Sequence, residues 1–260
     1  MTNFPQVAVI TGAAQGIGRR TAELLAERGY AVGLSDLRPP VDTLNAIAAA
    51  GGDAAELVGD ISNEETVEKI LEAVERRWGR VDVLVNNAGI SCIVAAEKLP
   101  AADFRRVLEV NLVAPFLLSK AFGAMMLAQG GGSIVNVASI AGLTGIAERS
   151  AYNASKHGLI GLTRTLAAEW GGRGVRVNAV CPGWVKTEMD ATDQGPAGYS
   201  DSDITGRVPM GRFATPDDIA RAIAFLADSR ESGFVNGHTL TVDGGWTADG
   251  SWETLRKRQR

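Results

Sequence analysis

The sequence predicts a single α/β domain in which helices cover both faces of a doubly wound parallel sheet of seven strands. The chain has 260 residues, 45% of them hydrophobic, which is enough for one domain to bury a full core. Short apolar runs alternate with helical patterns from end to end, which is typical of a wound parallel sheet. Most of these runs are apolar at every position, as expected when both faces of each strand are covered.

Seven apolar runs are predicted to be strands, at residues 7–10, 31–34, 54–58, 83–85, 134–137, 175–180 and 239–242. Helices are expected between them, and two carry start signals. Ser62 followed by Glu65 resembles a capping box, and apolar residues then repeat at helical spacing as far as Trp78. Thr215 before Pro216 and two acids predicts a second helix N-terminus.

Two segments have no clear periodicity. Residues 188–212 contain several glycines and a proline close together, and predict a long irregular substrate loop. The polar C-terminal tail, at about 247–260, ends in basic residues and is expected to be solvated. Both segments are assigned to one catalytic domain that spans 1–260.

The composition argues against several classes of function. A net charge of −4 gives no general attraction to nucleic acid or to an anionic membrane. The chain has two histidines and two cysteines, so a zinc cluster, a disulfide framework or a histidine triad is not expected, although carboxylates alone would still suffice for a metal. The most apolar stretch, 112–128, is shorter than the roughly 20 residues of a spanning helix, and no leader pattern is visible. We therefore expect no metal, no membrane partner and a cytoplasmic location.

The first strand is followed by a glycine-rich turn and a helical pattern. Gly12 suits the tight exit from the strand, Gly16 a close approach of backbone to a pyrophosphate, and Gly18 close packing of helix on strand. The helix N-terminus adds free N–H groups and a positive dipole end. This context predicts a Rossmann-type dinucleotide site.

Asp36, at the end of the second predicted strand, indicates which dinucleotide binds. An acid about 20 residues beyond the glycines accepts a ribose 2′-hydroxyl and repels the 2′-phosphate of NADP. Arg19, Arg20 and Arg38 lie nearby in the sequence and would favour that phosphate instead. We expect NAD, with NADP as the alternative.

A catalytic hydroxyl without histidine is predicted further along. Ser139 follows the fifth strand, at the carboxyl edge where open α/β sheets bind ligands. Tyr152 and Lys156 are one helical turn apart, so both side chains lie on one face. A free tyrosine has a pKa of about 10, and a nearby lysine together with a cationic nicotinamide would lower it enough for proton exchange at neutral pH.

These motifs, with others in the same order, resemble those of the short-chain dehydrogenase/reductase family from about residue 6 to 246. The resemblance covers the glycine motif at 11–18, the adenine contact Asp60-Ile61, the post-strand motif at 86–89, the relay residue Asn111, the trio Ser139, Tyr152 and Lys156, the segment from Pro182 to Thr187, and the last strand at 242–245.

The resemblance implies roles for these residues. Tyr152 would be the acid/base, Ser139 would orient the substrate oxygen, Lys156 would also bind the nicotinamide ribose, and Asn111 would complete a proton relay through water. Besides Tyr152 and Lys156, the residues expected to contact the cofactor are Gly12, Gln15, Gly16, Ile17, Gly18, Asp36, Asp60, Ile61, Asn87, Ala88, Gly89, Pro182, Gly183, Val185 and Thr187. The family usually forms homotetramers or homodimers, through helices at 101–128 and 150–170.

The resulting expectation is an NAD-dependent oxidoreductase that interconverts a secondary alcohol (a sugar, polyol or hydroxy acid among the options) and its ketone. Two alternatives stay open: an NADPH-linked reductase of 3-oxoacyl thioesters or other carbonyls, and a dinucleotide-binding regulatory protein that has lost catalysis. Specificity is expected in 90–95, 143–149 and 188–212. Arg149, Arg207 or Arg212 is a candidate to meet an anionic or hydroxylated substrate.

Overall fold

The computed structural model describes residues 5–252 and 255–256. It contains one parallel sheet of seven strands in the order β3-β2-β1-β4-β5-β6-β7, which confirms the predicted fold class. The strands are β1 (Val7–Thr11), β2 (Ala31–Asp36), β3 (Ala54–Val58), β4 (Val83–Asn86), β5 (Gly132–Val137), β6 (Val175–Pro182) and β7 (Thr239–Val242). Each predicted strand is present, extended by up to two residues at its ends.

Ten α-helices are found in the described part of the chain. They are α1 (Gly16–Glu27), α2 (Val41–Ala49), α3 (Glu64–Trp78), α4 (Ala101–Leu108), α5 (Ala114–Gln129), α6 (Ser150–Trp170), α7 (Glu188–Ala197), α8 (Asp201–Thr205), α9 (Pro216–Ala227) and α10 (Ser229–Ser232). A π-helical turn, Glu109–Val113, joins α4 to α5.

The core lies in two layers, one on each face of the sheet. Ile10 of β1 packs with Leu25 of α1 and Ile223 of α9 on one face. Val9, its neighbour in β1, packs with Phe122 of α5 and other residues on the opposite face. Successive residues of a strand point to opposite faces, so both must be apolar when both faces are covered. This arrangement explains why the strands are apolar without alternation.

The topology places a crevice at the carboxyl edge of the sheet. The chain leaves β1 toward β2 and β3, then returns past β1 to β4, so β1 and β4 are neighbours. Connections on the two sides of this point run to opposite faces of the sheet, and ligands of open α/β sheets bind in the resulting gap. The glycine turn after β1 therefore lies beside the residues that follow β4.

The apolar stretch 112–128 lies in a long helical run. By length and composition alone, the run Ala101–Gln129 is sufficient to cross a membrane, and 56% of its most apolar window is buried inside the protein. Leu118, Phe122 and Met126 of α5 are fully buried. These side chains pack against β4 and β5 as part of the core.

Two local expectations need correction. The N-cap of α3 is Asn63, whose side chain accepts a hydrogen bond from the backbone N–H of Glu65 at 2.9 Å; Ser62 instead donates to Asp60. The cap at Thr215 is as predicted. Residues 188–212 are not one irregular loop, because they contain α7 and α8.

The part of the C-terminal tail that the structure describes is only partly solvated. Arg256 folds back to within 3.7 Å of a carboxylate oxygen of Asp249, which also pairs with Arg207 at 3.3 Å. Residues 253–254 and 257–260 lie outside the described residues.

Candidate active site

One crevice of about 550 Å³ at the carboxyl edge of the sheet contains nearly all of the predicted site. Of the predicted residues, it is lined by Gly12, Gln15, Gly16, Ile17, Asp36, Asp60, Ile61, Asn87, Ala88, Gly89, Ser139, Tyr152, Lys156, Pro182, Gly183, Val185 and Thr187. Gly18 and Asn111 do not line it and instead support its walls. The tertiary fold thus brings together residues spread over most of the chain.

The glycine turn has the geometry that its residues suggested. Gly12 and Gly16 have φ of +66° and +55°, a region that strongly favours glycine. A Cβ at Gly18 would lie 2.0 Å from the carbonyl oxygen of Gly12, so α1 can approach β1 this closely only with glycine there. Gln15, at the N-cap of α1, makes no side-chain capping bond. The first turn of the helix is therefore left to face an anion.

Hydrogen bonds join the ends of β1 and β4. The Thr11 hydroxyl accepts hydrogen bonds from the backbone N–H groups of Asn87 and Ala88, both at 3.0 Å. The Asn87 amide donates to the carbonyl of Thr11 at 2.8 Å. The residues after β4 are thereby held against the glycine turn, where they form one wall of the crevice.

Asp36 and Arg38 lie together at one rim of the crevice. Asp36 accepts hydrogen bonds from the backbone N–H groups of Ala14 at 3.0 Å and Arg38 at 3.2 Å. The Arg38 guanidinium donates to the Gln15 side chain at 2.9 Å. A carboxylate and a guanidinium both border the place where a ribose 2′ substituent is expected. The carboxylate suits the 2′-hydroxyl of NAD, and the guanidinium suits the 2′-phosphate of NADP.

Asp60 is held by a partner that the sequence did not reveal. Its carboxylate accepts from Ser62 at 2.7 Å and from the Arg106 guanidinium at 3.0 Å. Burial alone would raise the pKa of Asp60, but the hydrogen bonds from Ser62 and Arg106 outweigh it and hold that pKa below its usual range. Arg106 also lines the crevice. Arg106, in α4, is 46 residues from Asp60 in the sequence, so only the folded structure identifies it as the partner of that carboxylate.

Tyr152 and Lys156 face the same space. The Lys156 ammonium lies 5.5 Å from the centre of the Tyr152 ring and donates a 2.8 Å hydrogen bond to the carbonyl of Val137 at the end of β5. Ser139, two residues further on, lies close enough to the Tyr152 hydroxyl to lower its pKa. Phenol, hydroxyl and ammonium therefore converge where β5 ends and α6 begins.

Burial shifts the pKa values of both Tyr152 and Lys156. Burial raises the pKa of Tyr152 above its usual range, although the nearby Ser139 hydroxyl and the charge of Arg149 oppose it. Burial likewise lowers the pKa of Lys156 to about 8, because a charged ammonium loses its hydration there. Among this chain's own groups, desolvation outweighs the nearby charges, and the expectation that Lys156 and a cationic nicotinamide together lower the tyrosine pKa stays a prediction.

Asn111 is fully buried within the π-helical turn between α4 and α5. Its side-chain oxygen accepts from the backbone N–H of Ile90 at 2.8 Å, and its amide donates to the Ile90 carbonyl at 2.9 Å and to Ser155 at 3.2 Å. Single π-helical turns occur often at functional sites. Here the turn points Asn111 at the loop beyond β4, and a Cβ placed at Gly89 of that loop would lie 3.2 Å from the Asn111 side-chain oxygen and 3.6 Å from the Lys156 ammonium.

The other end of the cofactor region is built from the residues that follow β6. Pro182 closes that strand, and a Cβ at Gly183 would lie 2.8 Å from the Cα of Asp243, so only glycine passes there. Val185 makes an isolated parallel bridge with Ala214. This bridge holds Thr187 and the start of α7 over the crevice.

Part of the crevice is lined by residues from 188–212, where specificity was expected, although their individual roles were not predicted. Trp184 lines the crevice together with Asp190, Asp193 and Tyr199. The last three belong to the segment expected to be irregular. Of the three candidate arginines, only Arg149 lines it. Arg207 stacks on Trp246 and pairs with Asp249, and Arg212 pairs with Asp218 at the start of α9. Cys92, Cys181 and His157 do not line the crevice.

Among the described residues, no group of three or more His, Cys, Asp or Glu side chains is arranged to hold a metal ion. The conformations of Gly12 and Gly16 and the open N-terminus of α1 fit the pyrophosphate of a dinucleotide. The crevice therefore combines a turn that suits a dinucleotide with a phenol, a hydroxyl and an ammonium group.

Comparisons with known proteins agree with this geometry. Residues 12–247 match the family model described as enoyl-(acyl carrier protein) reductase. The chain is similar to D-threitol dehydrogenase of Mycolicibacterium smegmatis, with 42% identity over 93% of each protein. It is also similar to a 3-oxoacyl-[acyl-carrier-protein] reductase of a Synechocystis strain, with 36% identity over 92% of this chain and 96% of that one.

A solved structure from Beutenbergia cavernae is similar as well. It is provisionally named an NAD(P)-dependent gluconate 5-dehydrogenase and holds NADP at low occupancy. The two chains share 43% identity with a TM-score of 0.88, over 94% of this chain and 97% of that one. The relatives thus share one scaffold and differ in the substrates named for them.

Proposed function

Because the chain belongs to the short-chain dehydrogenase/reductase family, we propose that it is an NAD-dependent oxidoreductase that interconverts a secondary alcohol and its ketone. The observation that carries this proposal is the convergence of Ser139, Tyr152 and Lys156 on one wall of the crevice that begins at the glycine turn. The general activity, nicotinamide-dependent oxidoreduction, follows from the family.

A bound nicotinamide cofactor supplies the hydride chemistry. The glycine turn and the first turn of α1 would hold its pyrophosphate, Asp36 and Asp60 would border its adenosine half, and Pro182 to Thr187 would border its nicotinamide half. All of these residues line one crevice. Thr11 and Asn87 keep the two sides of that crevice together.

The chain's own residues would manage the proton. Ser139 would hold the substrate oxygen by a hydrogen bond, and Tyr152 would take the proton from an alcohol or give it to a ketone at its phenol oxygen. Because burial raises the pKa of Tyr152, its own surroundings favour the neutral phenol, which is the proton donor for reduction. A cationic ring bound nearby would shift this balance toward the phenolate needed for oxidation.

Lys156 and Asn111 would support that exchange. With a pKa of about 8, Lys156 is mostly protonated at pH 7 and can donate to the cofactor ribose or to the phenolate. Asn111 fixes the backbone at Ile90 with two hydrogen bonds. We propose that a water beside Asn111 and Lys156 passes the proton to solvent.

The NAD preference is proposed on the strength of Asp36. Its carboxylate is fixed by two backbone N–H groups and would accept the 2′-hydroxyl of NAD, whereas a 2′-phosphate would be repelled. Arg38 is turned toward Gln15. The similar Beutenbergia structure contains NADP, so the direct comparison of the two cofactors is a needed measurement.

A second candidate is an NADPH-linked reductase of 3-oxoacyl thioesters. It is favoured by the Synechocystis relative of that name and by the presence of Arg38 at the rim, where it would meet a 2′-phosphate. The two candidates predict opposite ratios of kcat/KM for NAD and NADP.

We propose further that the protein is a cytoplasmic homotetramer or homodimer assembled through α5 and α6. Phe116 on α5 is an apolar side chain that is 44% exposed, and a neighbouring subunit would cover it. Both cysteines are free thiols, as is usual in a reducing compartment. Light scattering of the purified protein measures the assembly.

The Tyr152→Phe variant tests the mechanism. Its turnover should fall roughly 100- to 10,000-fold, the usual contribution of a positioned acid/base. Its protein fluorescence should still be quenched when NADH is added, because cofactor binding is retained. Turnover close to the wild-type rate in this variant would refute the role of Tyr152.

A further inference from the structure

Arg149 is held rigidly at the substrate end of the crevice. It precedes α6, three residues before Tyr152, and is only 7% exposed. Glu148 before it has a φ of +61°, unusual for a residue other than glycine. A 2.8 Å hydrogen bond from the backbone N–H of Val94 to the Glu148 carbonyl pins this conformation. The backbone is thereby shaped to aim the guanidinium inward.

The guanidinium is bound on one side and unused on the other. Its Nη1 donates to the Ser91 hydroxyl at 2.9 Å and to Asp193 Oδ2 at 2.8 Å. Within the described residues, Nε and Nη2 make no hydrogen bond, and these two atoms carry three of the five donors of arginine. Because the residue lines the crevice, those donors are available to a substrate.

A second donor without a partner lies beside it. The Arg149 guanidinium lies over the Trp184 ring, 5.7 Å from its centre. The indole Nε1–H of Trp184 is buried and has no hydrogen-bond partner within the described residues. A buried donor left unpaired costs free energy. A ligand with acceptor oxygens beside the Arg149 guanidinium and the Trp184 indole N–H would remove that cost.

The same end of the crevice also offers acceptors and carries negative charge. Asp193 uses only Oδ2 for Arg149, and within the described residues its Oδ1 accepts no hydrogen bond. Asp190, also at the crevice, accepts from the Tyr199 hydroxyl at 3.0 Å and lies 3.2 Å from the Lys186 ammonium. Asp193 pairs with Arg149, and Asp190 shares the Lys186 ammonium with Asp201, which lies 2.6 Å from it. The region therefore has no net positive charge to attract an acid.

We propose that Arg149 and Asp193 form a specificity pair that binds a hydroxyl of a neutral polyhydroxylated substrate, away from the carbon that reacts. A hydroxyl accepts from the free N–H groups of Arg149 and donates to Asp193 Oδ1 at the same time, which satisfies both residues. A carboxylate would accept from Arg149 but would face the charge of Asp193 beside it. The 3-oxoacyl thioester group itself has no O–H or N–H to donate to Asp193. This inference deepens the proposed function and rests on it for the identity of the reaction.

The test uses three kinds of alcohol: pentitols, the pentonates of matching stereochemistry, and 2-butanol. We expect wild-type kcat/KM to be at least about tenfold higher for the best pentitol than for its pentonate. Arg149→Met should lower the ratio of kcat/KM for pentitol to that for 2-butanol by roughly 10- to 100-fold, the usual effect of losing a hydrogen bond to a charged group. Asp193→Asn keeps the size and one oxygen but removes the charge, and should lower the pentitol-to-pentonate ratio by about tenfold.

Arg212→Gln is the matched control. Arg212 is half exposed and pairs with Asp218, outside the crevice, so the two ratios should stay at their wild-type values. A wild-type preference for the pentonate, or ratios unmoved by both Arg149→Met and Asp193→Asn, would overturn the specificity pair.

A binding measurement separates this inference from the proposed reaction. Pentitol and pentonate are titrated into the cofactor-loaded protein while tryptophan fluorescence is followed, since Trp184 borders the pair. Tighter binding of pentitol that is weakened by Arg149→Met supports the pair even if Tyr152→Phe stays active, in which case only the mechanism fails. Equal binding of pentitol and pentonate, with Tyr152→Phe inactive, overturns the pair and leaves the mechanism standing.

Discussion

Lys156 donates a 2.8 Å hydrogen bond to the backbone carbonyl of Val137, so the buried ammonium is fastened to the end of β5. Lys156 is 3% exposed, and its surroundings supply a carbonyl dipole rather than a carboxylate. A buried cation without an anionic partner is costly. This relationship has a measurable consequence for stability.

The stability of the protein should rise with pH between about 8 and 10.5 because of Lys156. Burial lowers its pKa to about 8 in the folded state, against about 10.4 in an unfolded chain. In this window the unfolded state binds more protons, so the free energy of unfolding increases with pH, by at most about 3 kcal/mol. Urea unfolding of wild type and Lys156→Met across this range measures the effect.

Lys156→Met is expected to lack that rise while other titrating groups contribute equally to both proteins. Parallel stability curves for the two proteins between pH 8 and 10.5 would show that the folded state does not depress the lysine pKa.

Asp36→Ser should change the cofactor preference. Removing the carboxylate abolishes its repulsion of a 2′-phosphate and weakens its hydrogen bond to the 2′-hydroxyl of NAD, so kcat/KM for NADP relative to NAD should rise by roughly 10- to 100-fold. Asp42→Ser is the control, because the Asp42 carboxylate is 81% exposed and makes a long, 3.8 Å contact with Arg19. A ratio that moves equally in both variants would remove Asp36 from the explanation.

Gly18→Ala should damage the cofactor site through packing. The new methyl group would lie 2.0 Å from the Gly12 carbonyl oxygen and 2.5 Å from the Asn87 amide, so α1 must move away from β1. We expect a loss of about 1–3 kcal/mol in the free energy of unfolding together with weaker NADH binding. Thermal unfolding and NADH fluorescence measure the two effects.

Gly161→Ala provides the comparison for that substitution. Gly161 lies within α6, is exposed, and has no atom within 4 Å of the position of a Cβ. Alanine there should be neutral or stabilising by up to about 1 kcal/mol. If both glycine variants behave alike, close packing at Gly18 is not the cause of the damage.

Thr215→Ala should weaken the start of α9. The Thr215 hydroxyl accepts from the backbone N–H of Asp218 at 3.2 Å and donates to the Asp218 carboxylate at 3.0 Å, and loss of such a cap costs about 0.5–2 kcal/mol. Thr165→Ala, which removes an exposed hydroxyl bonded only to the Gly161 carbonyl, should stay within about 0.5 kcal/mol of wild type. Chemical denaturation distinguishes the two, and equal stabilities would contradict the capping role.

Acid should remove part of the stability of the same cap. Hydrogen bonds from Arg212 and from Thr215 hold the pKa of Asp218 well below its usual range. A depressed carboxylate pKa stabilises the fold at neutral pH, and this contribution is lost as pH falls below about 4, where the unfolded chain takes up the proton first. The stability of wild type should therefore fall more steeply below pH 4 than that of Asp218→Asn.

The strands and the glycine turn were predictable because their causes are local. Covered strands need apolar residues at consecutive positions, and the turn after β1 needs glycine where φ is positive, as at Gly12 and Gly16. The order of the motifs along the chain also placed Ser139, Tyr152 and Lys156 correctly at one edge of the sheet.

The helices α7 and α8 escaped prediction for an equally physical reason. Gly195, Pro196 and Gly206 break the apolar period on which a helix prediction depends. In the folded chain the Val185–Ala214 bridge closes this segment over the crevice. Contacts with the rest of the protein stabilise it, together with a capping box between Ser200 and Asp203 at the start of α8.

By itself, the sequence determined the order of the strands and of most helices, the place of the glycine turn and the positions of Ser139, Tyr152 and Lys156 along the chain, because each depends on local patterns of residues. Only the tertiary structure decided which charges meet. Arg149 and Asp193 are 44 residues apart, and their contact exists only because the chain folds back over the crevice. Burial, which sets the direction of the Tyr152 and Lys156 pKa shifts, depends on the whole fold, so no local pattern of residues contains it.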